Sequence, residues 1–190
     1  MNIIVRPYGS SIHECRPDTT WERENKDFYA PDCVDEIYWT PILFARISKA
    51  GKCIGGKFAS RYYDSIGFGA LLYCRCGEQI TSYADHTSLL PFPLYNPVVL
   101  DNQDNAYTVT KDGEIIFDKS VSSAEHDSKE YKEMIEDAIC QTSVLTSLRI
   151  GDFVAVELAP PVHLASRAEG TAAFKARFCE NDLYDLKLIF

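Results

Sequence analysis

The stretch from Ser122 to Leu158, SSAEHDSKEYKEMIEDAICQTSVLTSLRIGDFVAVEL, limits what this chain can become more than any other. Tyr131, Met134, Ile135, Ala138, Ile139, Thr142 and Leu145 fall on one stripe at steps of three and four, and Lys129, Glu130, Lys132, Glu133, Glu136 and Asp137 take the other face. That pattern predicts an amphipathic helix over about 128–146. Asp127 with Glu130, or Ser122 with Glu125, offers a capping-box start. Gly151-Asp152 ends the segment in a turn, and Phe153-Val154-Ala155-Val156-Glu157-Leu158 has the β-branched, apolar character of a buried strand. The paired acids along the helix, such as Glu133 with Glu136 and Asp137, read as its solvated face.

The remainder of the chain is richer in strands than in helices. Asn2 to Arg6 predicts a first strand, ended by Pro7, and residues 16 to 40 read as a polar, irregular, lid-like excursion anchored by Trp21, Phe28, Tyr29, Tyr38 and Trp39. Pro41 to Ile47 and Ile66 to Cys76 are apolar enough for buried strands, and Pro91, Pro93 and Pro97 mark residues 77 to 97 as a loop. Lys111-Asp112-Gly113 joins Tyr107–Thr110 to Glu114–Phe117 as a hairpin, because Asp-Gly suits the type I′ turn. After Pro160-Pro161, a small-residue stretch through Gly170 and the segment Ala173 to Cys179, the last residues, Leu183 to Phe190, alternate loosely enough to close the sheet as a strand. The sum is a β-rich α+β fold in a single domain, 1–190, with one main helix.

Charge and composition exclude several classes of partner. A net charge of −9 with no cluster of Lys and Arg argues against nucleic acid and against an anionic membrane surface. No apolar run approaches the ~20 residues of a membrane span. The N-terminal residues Met-Asn-Ile-Ile-Val-Arg lack a secretory signal pattern. Seven cysteines include no Cys-x-x-Cys pair, so a zinc ribbon is excluded; Cys74 and Cys76 share a strand face and could share a site, but thiols packed as small apolar groups fit better. A reducing, cytoplasmic setting is the expectation.

Taken in order, these segments resemble the catalytic C-terminal-type domain of the fumarylacetoacetate hydrolase family, in a divergent and shortened form. The likeness is carried by Tyr8 to Glu14, by Pro41-Ile42-Leu43-Phe44-Ala45-Arg46, by the Lys111-Asp112-Gly113-Glu114 hairpin, and by Ser147-Leu148-Arg149-Ile150-Gly151-Asp152-Phe153. The resemblance implies a mixed β-roll or sandwich, a homodimer and a small organic acid as ligand. It also implies a divalent cation, Mg2+ or Mn2+, held by carboxylates of a Glu-x-Glu strand and an Asp further on, acting as a Lewis acid. Here the corresponding strand reads Gly67-Phe68-Gly69, which puts glycine at both ligand positions. Only Asp85 offers itself for the Asp, and Ala159-Pro160-Pro161 replaces the Gly-Thr-Pro that ends the later strand. No metal and no other cofactor is therefore expected.

The candidate site residues follow from the same alignment. His13 and Glu14 fall where the family carries an acid-base pair, although adjacent residues usually point apart; His13 is the better base because its ordinary pKa, about 6.5, lies near working pH. Arg46 takes the place of a family Lys and is a candidate carboxylate binder, and Asp64 is a candidate stand-in for a lost ligand, against the plainer reading of a turn aspartate. Asp85 with His86, His126, His163 and Gly55-Gly56-Lys57 are weaker candidates; the last lacks the spacing of a phosphate-binding loop. Three readings follow. The favoured one is a homologue without the family's metal-dependent activity. The second is a hydrolase or decarboxylase on a small 2-oxo acid, with a site rearranged around His13, Glu14, Arg46 and Asp64. The third is a β-rich interaction domain that covers a partner with the aromatics between Trp21 and Trp39.

Overall fold

The structure is a computed structural model and describes residues 1–101, 105–120 and 128–190. In chain order the elements are β1 (Ile3–Arg6), β2 (Glu14–Arg16), β3 (Trp21–Glu22), β4 (Phe28–Tyr29), β5 (Glu36–Ile47), β6 (Tyr63–Cys76), β7 (Gln79–Thr81) and β8 (Ser88–Leu89). They continue with β9 (Ala106–Lys111), β10 (Glu114–Ser120), α1 (Ser128–Leu145), β11 (Phe153–Glu157), β12 (Val162–Ser166), β13 (Ala172–Phe178) and β14 (Asn181–Ile189). The larger sheet runs β2-β1-β11-β5-β6-β8-β3, with β12 beside β5 and β7 beside β6; the smaller runs β10-β9-β13-β14-β4.

The antiparallel pair β5–β6 is the spine, in register from Glu36 with Arg75 to Ile47 with Tyr63. Pro41 sits inside this spine, although proline removes a ladder donor. The position tolerates it because the neighbour on that side changes there: β12 pairs with residues 36–39 and β11 with residues 42–46. Leu158 N–H donates to the Pro41 carbonyl at 2.9 Å, so the missing donor faces the break between the two partners. The turn at Asp112-Gly113 has φ of 51° and 86°, as a type I′ hairpin requires.

Alternation along the strands divides the apolar residues between two cores. The main core lies between one face of the larger sheet (Leu43, Ala45, Phe68, Leu72, Val154), the smaller sheet (Tyr107, Val109, Phe174, Phe178, Leu186) and α1. The buried stripe of α1 is Tyr131, Ile135, Ala138, Ile139 and Thr142, while Leu145 is 86% exposed and Met134 half-buried. Ile3, Val5, Ile42, Phe44, Leu71, Leu90, Phe153 and Ala155 form a second, smaller core on the opposite face of the larger sheet.

The expected domain content differs from the structure in several places. Residues 16 to 40 run irregularly between the short strands β3 and β4 and the start of β5, and they are packed as their aromatics suggested, with Arg16, Thr20, Phe28, Val34, Ile37 and Trp39 buried. Scattered breakers hid strands of two residues, too short to show a period. The spine strands extend beyond both expectations, to Glu36 and to Tyr63. Residues 77 to 97 contain β7 and β8, and β12 falls in the small-residue stretch between Pro161 and Gly170. The capping alternatives at Ser122, Glu125 and Asp127 lie outside the described residues, as does His126.

Candidate functional site

The face of the larger sheet that carries the second core is also the face of Gly67 and Gly69. Register pairs Gly67 with Phe44 and Gly69 with Ile42. A Cβ on Gly67 would overlap Cζ of Phe44 and stand 2.8 Å from its Cε1; a Cβ on Gly69 would overlap the Leu89 carbonyl oxygen and stand 3.2 Å from Cδ of Pro91. Neither neighbour yields easily. Phe44 is fully buried and packs edge-on against Phe153 with centroids 5.6 Å apart, and Leu89 is held in β8 opposite Ala70. Trp21 closes the cluster, 5.0 Å from Phe153 and donating its indole N–H to the Leu90 carbonyl at 3.0 Å. A carboxylate side chain has no room at either glycine, and no three His, Cys, Asp or Glu gather around one point among the described residues. The residues present do not fit a divalent cation at this place.

A buried polar group borders this apolar patch. Arg16, 1% exposed, lies over the Tyr73 ring at 4.5 Å and donates through Nη1 to the carbonyls of Leu72 at 3.0 Å and Thr87 at 3.3 Å. Its Nε and Nη2 are buried without a hydrogen-bond partner among the described residues. Glu157, 2% exposed, accepts from the Tyr73 hydroxyl and, at 2.8 Å, from the Tyr8 N–H. Burial pushes the Glu157 carboxyl above its ordinary range, partly offset by those two donors and by the Arg16 charge. Both carboxylate oxygens are already engaged by the chain itself, which makes Glu157 a bracing group between β6 and the turn after β1. The alternation Phe153, Ala155, Glu157 already placed an acid at an inward position of a buried strand, the one signal in the sequence that pointed to this group.

The four candidates of the sequence fall into two separate places. His13 and Glu14 line a cavity of about 320 Å3 between the β1–β2 connection and the C-terminal half of α1, together with Asn2, Gln141 and Thr142. His13 is held below its ordinary pKa, first by burial and then by the Arg6 charge, partly offset by a backbone hydrogen bond at Ser11. Its Nε2 is sealed from solvent without a hydrogen-bond partner among the described residues. Glu14 is exposed on β2 opposite Val5.

Arg46 and Asp64 are both exposed and line a shallow cleft with Ser65, Phe92, Tyr95 and Asn96, of about 730 Å3. Asp64 is the second residue of β6 and accepts from the hydroxyl of its neighbour Ser65 at 2.9 Å. The order β2-β1-β11-β5 puts Glu14 three strand spacings from Arg46, roughly 14 Å at 4.7–4.9 Å per strand. The structure therefore unites Arg46 with Asp64 and His13 with Glu14, and keeps the two pairs apart.

The remaining candidates have local partners. His86 Nδ1 lies 2.7 Å from the buried Glu22 carboxylate, which also accepts from the Glu24 N–H at 2.7 Å. Asp85 lines a neighbouring cavity with Phe28, Tyr29 and Tyr83. His163 packs edge-on against Tyr38 at 5.7 Å, and the Lys57 ammonium lies over the Phe58 ring at 4.9 Å. Cys74 is buried in the main core, while Cys76 meets Cys33. The aromatics offered as a partner surface mostly face inward: Phe28 and Trp39 are buried and Trp21 half-buried, leaving Tyr29 at 71% exposure.

No family model matches the sequence, and no curated protein matches it. Solved structures do. A protein from Yersinia pestis CO92 described as of the fumarylacetoacetate hydrolase family superposes with a TM-score of 0.73 at 13% identity, over 99% of this chain and 92% of that one. Fumarylacetoacetate hydrolase from Exiguobacterium antarcticum gives 0.72 at 10% identity over 99% and 74%. Fumarylpyruvate hydrolase from Pseudomonas aeruginosa, solved with Mn2+ and pyruvate, gives 0.67 at 13% identity over 99% and 95%. The two sheets and the single main helix of this chain are thus the fold of the fumarylacetoacetate hydrolase C-terminal domain.

Proposed function

From a chain that has the fumarylacetoacetate hydrolase fold, we propose a protein that uses this fold for binding and not for metal-dependent hydrolysis. The observation that carries the reading is the closure at Gly67 and Gly69. Where the resemblance asks for two carboxylates, the strand has no side chains, and Phe44, Leu89 and Pro91 fill the space they would need. A hard divalent cation needs several oxygen ligands converging at 2.0–2.6 Å. A glycine pair backed by a phenyl ring supplies none.

The ligand that suits what remains is a small organic acid. Arg46 has no ion-pair partner among the described residues, and its cleft also holds the Asn96 amide, whose oxygen accepts from the Val98 N–H and whose NH2 has no partner among the described residues, and Asp64, whose carboxylate is engaged by the Ser65 hydroxyl. A guanidinium with open donors matches the planar fork of a carboxylate.

Thermal unfolding with Mg2+ or Mn2+, run beside an assay for pyruvate release from fumarylpyruvate, tests the proposal. The expected result is no saturable rise in Tm with either cation and no turnover, with pyruvate itself producing saturable NMR shifts around Arg46 that Arg46→Ala removes. Cation-dependent stabilisation together with turnover overturns it.

A further inference from the structure

Two thiols far apart in sequence meet at the edge of the larger sheet. Sγ of Cys76, at the end of β6, donates to Sγ of Cys33 at 3.5 Å across a separation of 43 residues. Cys33 is exposed and Cys76 half-buried. A disulfide needs about 2.05 Å between the sulfurs, so the two side chains must close roughly 1.5 Å.

The backbones on either side are already fastened together. Asp35 N–H donates to the Arg75 carbonyl at 2.9 Å, and the Asp35 carboxylate accepts from the Gly77 N–H at 3.2 Å. Arg167 holds the same loop through the carbonyls of Pro31 at 2.9 Å and Val34 at 3.1 Å. Closing the gap therefore asks for side-chain rotation and leaves the chain path alone. The nearby Cys74 is no competitor: it is fully buried, and burial pushes its thiol up to about 12, so it stays protonated.

We propose that Cys33 and Cys76 are a modification site that forms a reversible disulfide with a low-molecular-weight disulfide such as oxidised glutathione as oxidant. Cys33, the exposed sulfur, attacks as thiolate on one sulfur of oxidised glutathione and expels a glutathione thiolate, which leaves a mixed disulfide. The Cys76 thiolate attacks Sγ of Cys33 and expels the second glutathione. Two cysteine S–H bonds and one glutathione S–S bond become one intrachain S–S bond and two glutathione S–H bonds. The chain loses two electrons and two protons, and glutathione gains both. The link ties the β4–β5 loop to the end of β6, and Pro31 of that loop lines the cavity of Tyr29 and Tyr83.

The test is to equilibrate the full chain in defined mixtures of oxidised and reduced glutathione, quench with acid, and map peptides by mass spectrometry. The expected product is a Cys33–Cys76 peptide pair lighter by about 2 Da than its reduced form, restored by excess reduced glutathione. Tm should rise on oxidation, because the link closes a long loop in the unfolded chain. Cys33→Ser and Cys76→Ser should each lose the linked pair, and Cys53→Ser should retain it. A lasting glutathione adduct on Cys33 with Cys76 free, a link from either residue to another cysteine, or two reduced thiols under a large excess of oxidised glutathione overturns the proposal.

Discussion

Phe44 and Gly67 face each other across the β5–β6 ladder, and the Phe44 ring occupies the space in which a side chain on residue 67 would begin. The two residues are a matched pair, one large and one absent side chain in one volume. Gly67→Ala forces a buried ring off its rotamer and should cost about 1–3 kcal/mol, the range for overpacking a core. Phe44→Ala should cost about 3–5 kcal/mol as a large-to-small change. Because the second change empties what the first overfills, the double variant should be more stable than the sum of the single effects by about 1 kcal/mol or more, read as non-additivity in urea unfolding.

Gly69 meets a stiffer neighbour. The obstacle there is the carbonyl oxygen of Leu89, which belongs to a strand and cannot rotate away as a side chain does. Gly69→Ala must push β8 away from β6 and loosen Leu89 and Leu90, both buried. The variant should lose more stability than Gly67→Ala, on the order of 3 kcal/mol or more, the range of the most disruptive core changes. Replacing Leu89 should not rescue it, since the clash is with backbone; chemical denaturation of the two double variants compares the cases.

How much was legible in the sequence follows from where the period was long. The stripe from Tyr131 to Thr142 gave the helix, and Asp112-Gly113 gave the hairpin, since each needs only local chemistry. The order of segments around Gly151-Asp152 gave the fold. The short strands β3, β4 and β8 were hidden because two residues carry no alternation. The glycines at 67 and 69 could be read as a lack of ligands, but what fills their place comes from Phe44 and Leu89, which only the register brings there. Long-range pairs were the least legible: Arg16 with Tyr73, Tyr73 with Glu157, and Cys33 with Cys76 are separated by dozens of residues.

Glu157 gives the fold a specific pH dependence. Burial raises its folded-state pKa above the unfolded value, so the folded chain holds this proton more tightly than the unfolded one. The contribution is fully present below the unfolded pKa of about 4.3, and stability falls by up to about 1.4 kcal/mol per pH unit until the folded pKa is passed. Glu157→Gln removes that titration, so stability measured from pH 4 to 7 should decline less steeply in the variant than in the natural chain. In Arg16→Met the loss of the nearby positive charge should move the folded pKa of Glu157 further up and widen the window of decline.

The turn into β11 supplies the last test. Asp152 is 1% exposed, and its carboxylate accepts from the N–H of Asn2 at 2.7 Å and of Arg149 at 2.9 Å, so one side chain pins the start of β1 to the turn before β11. Those two strands run parallel, with Ile3 paired to Phe153, and no short connection exists between parallel neighbours to fix their register. Asp152→Ala leaves these two backbone donors and the Asn2 side-chain amide, a weaker contact at 3.4 Å, without their acceptor and should cost about 2–4 kcal/mol, at about 1–3 kcal/mol per unsatisfied group less the share that water recovers. Asp152→Asn keeps one carbonyl oxygen and should lose about half as much. Hydrogen exchange distinguishes a local from a global effect: the amides of Ile4, Val5 and Phe153 should lose protection in Asp152→Ala before those of β5 and β6 do, because β1 is held to the sheet through β11. Equal loss of protection across both sheets would show that the side chain stabilises the whole fold and not the seating of β1.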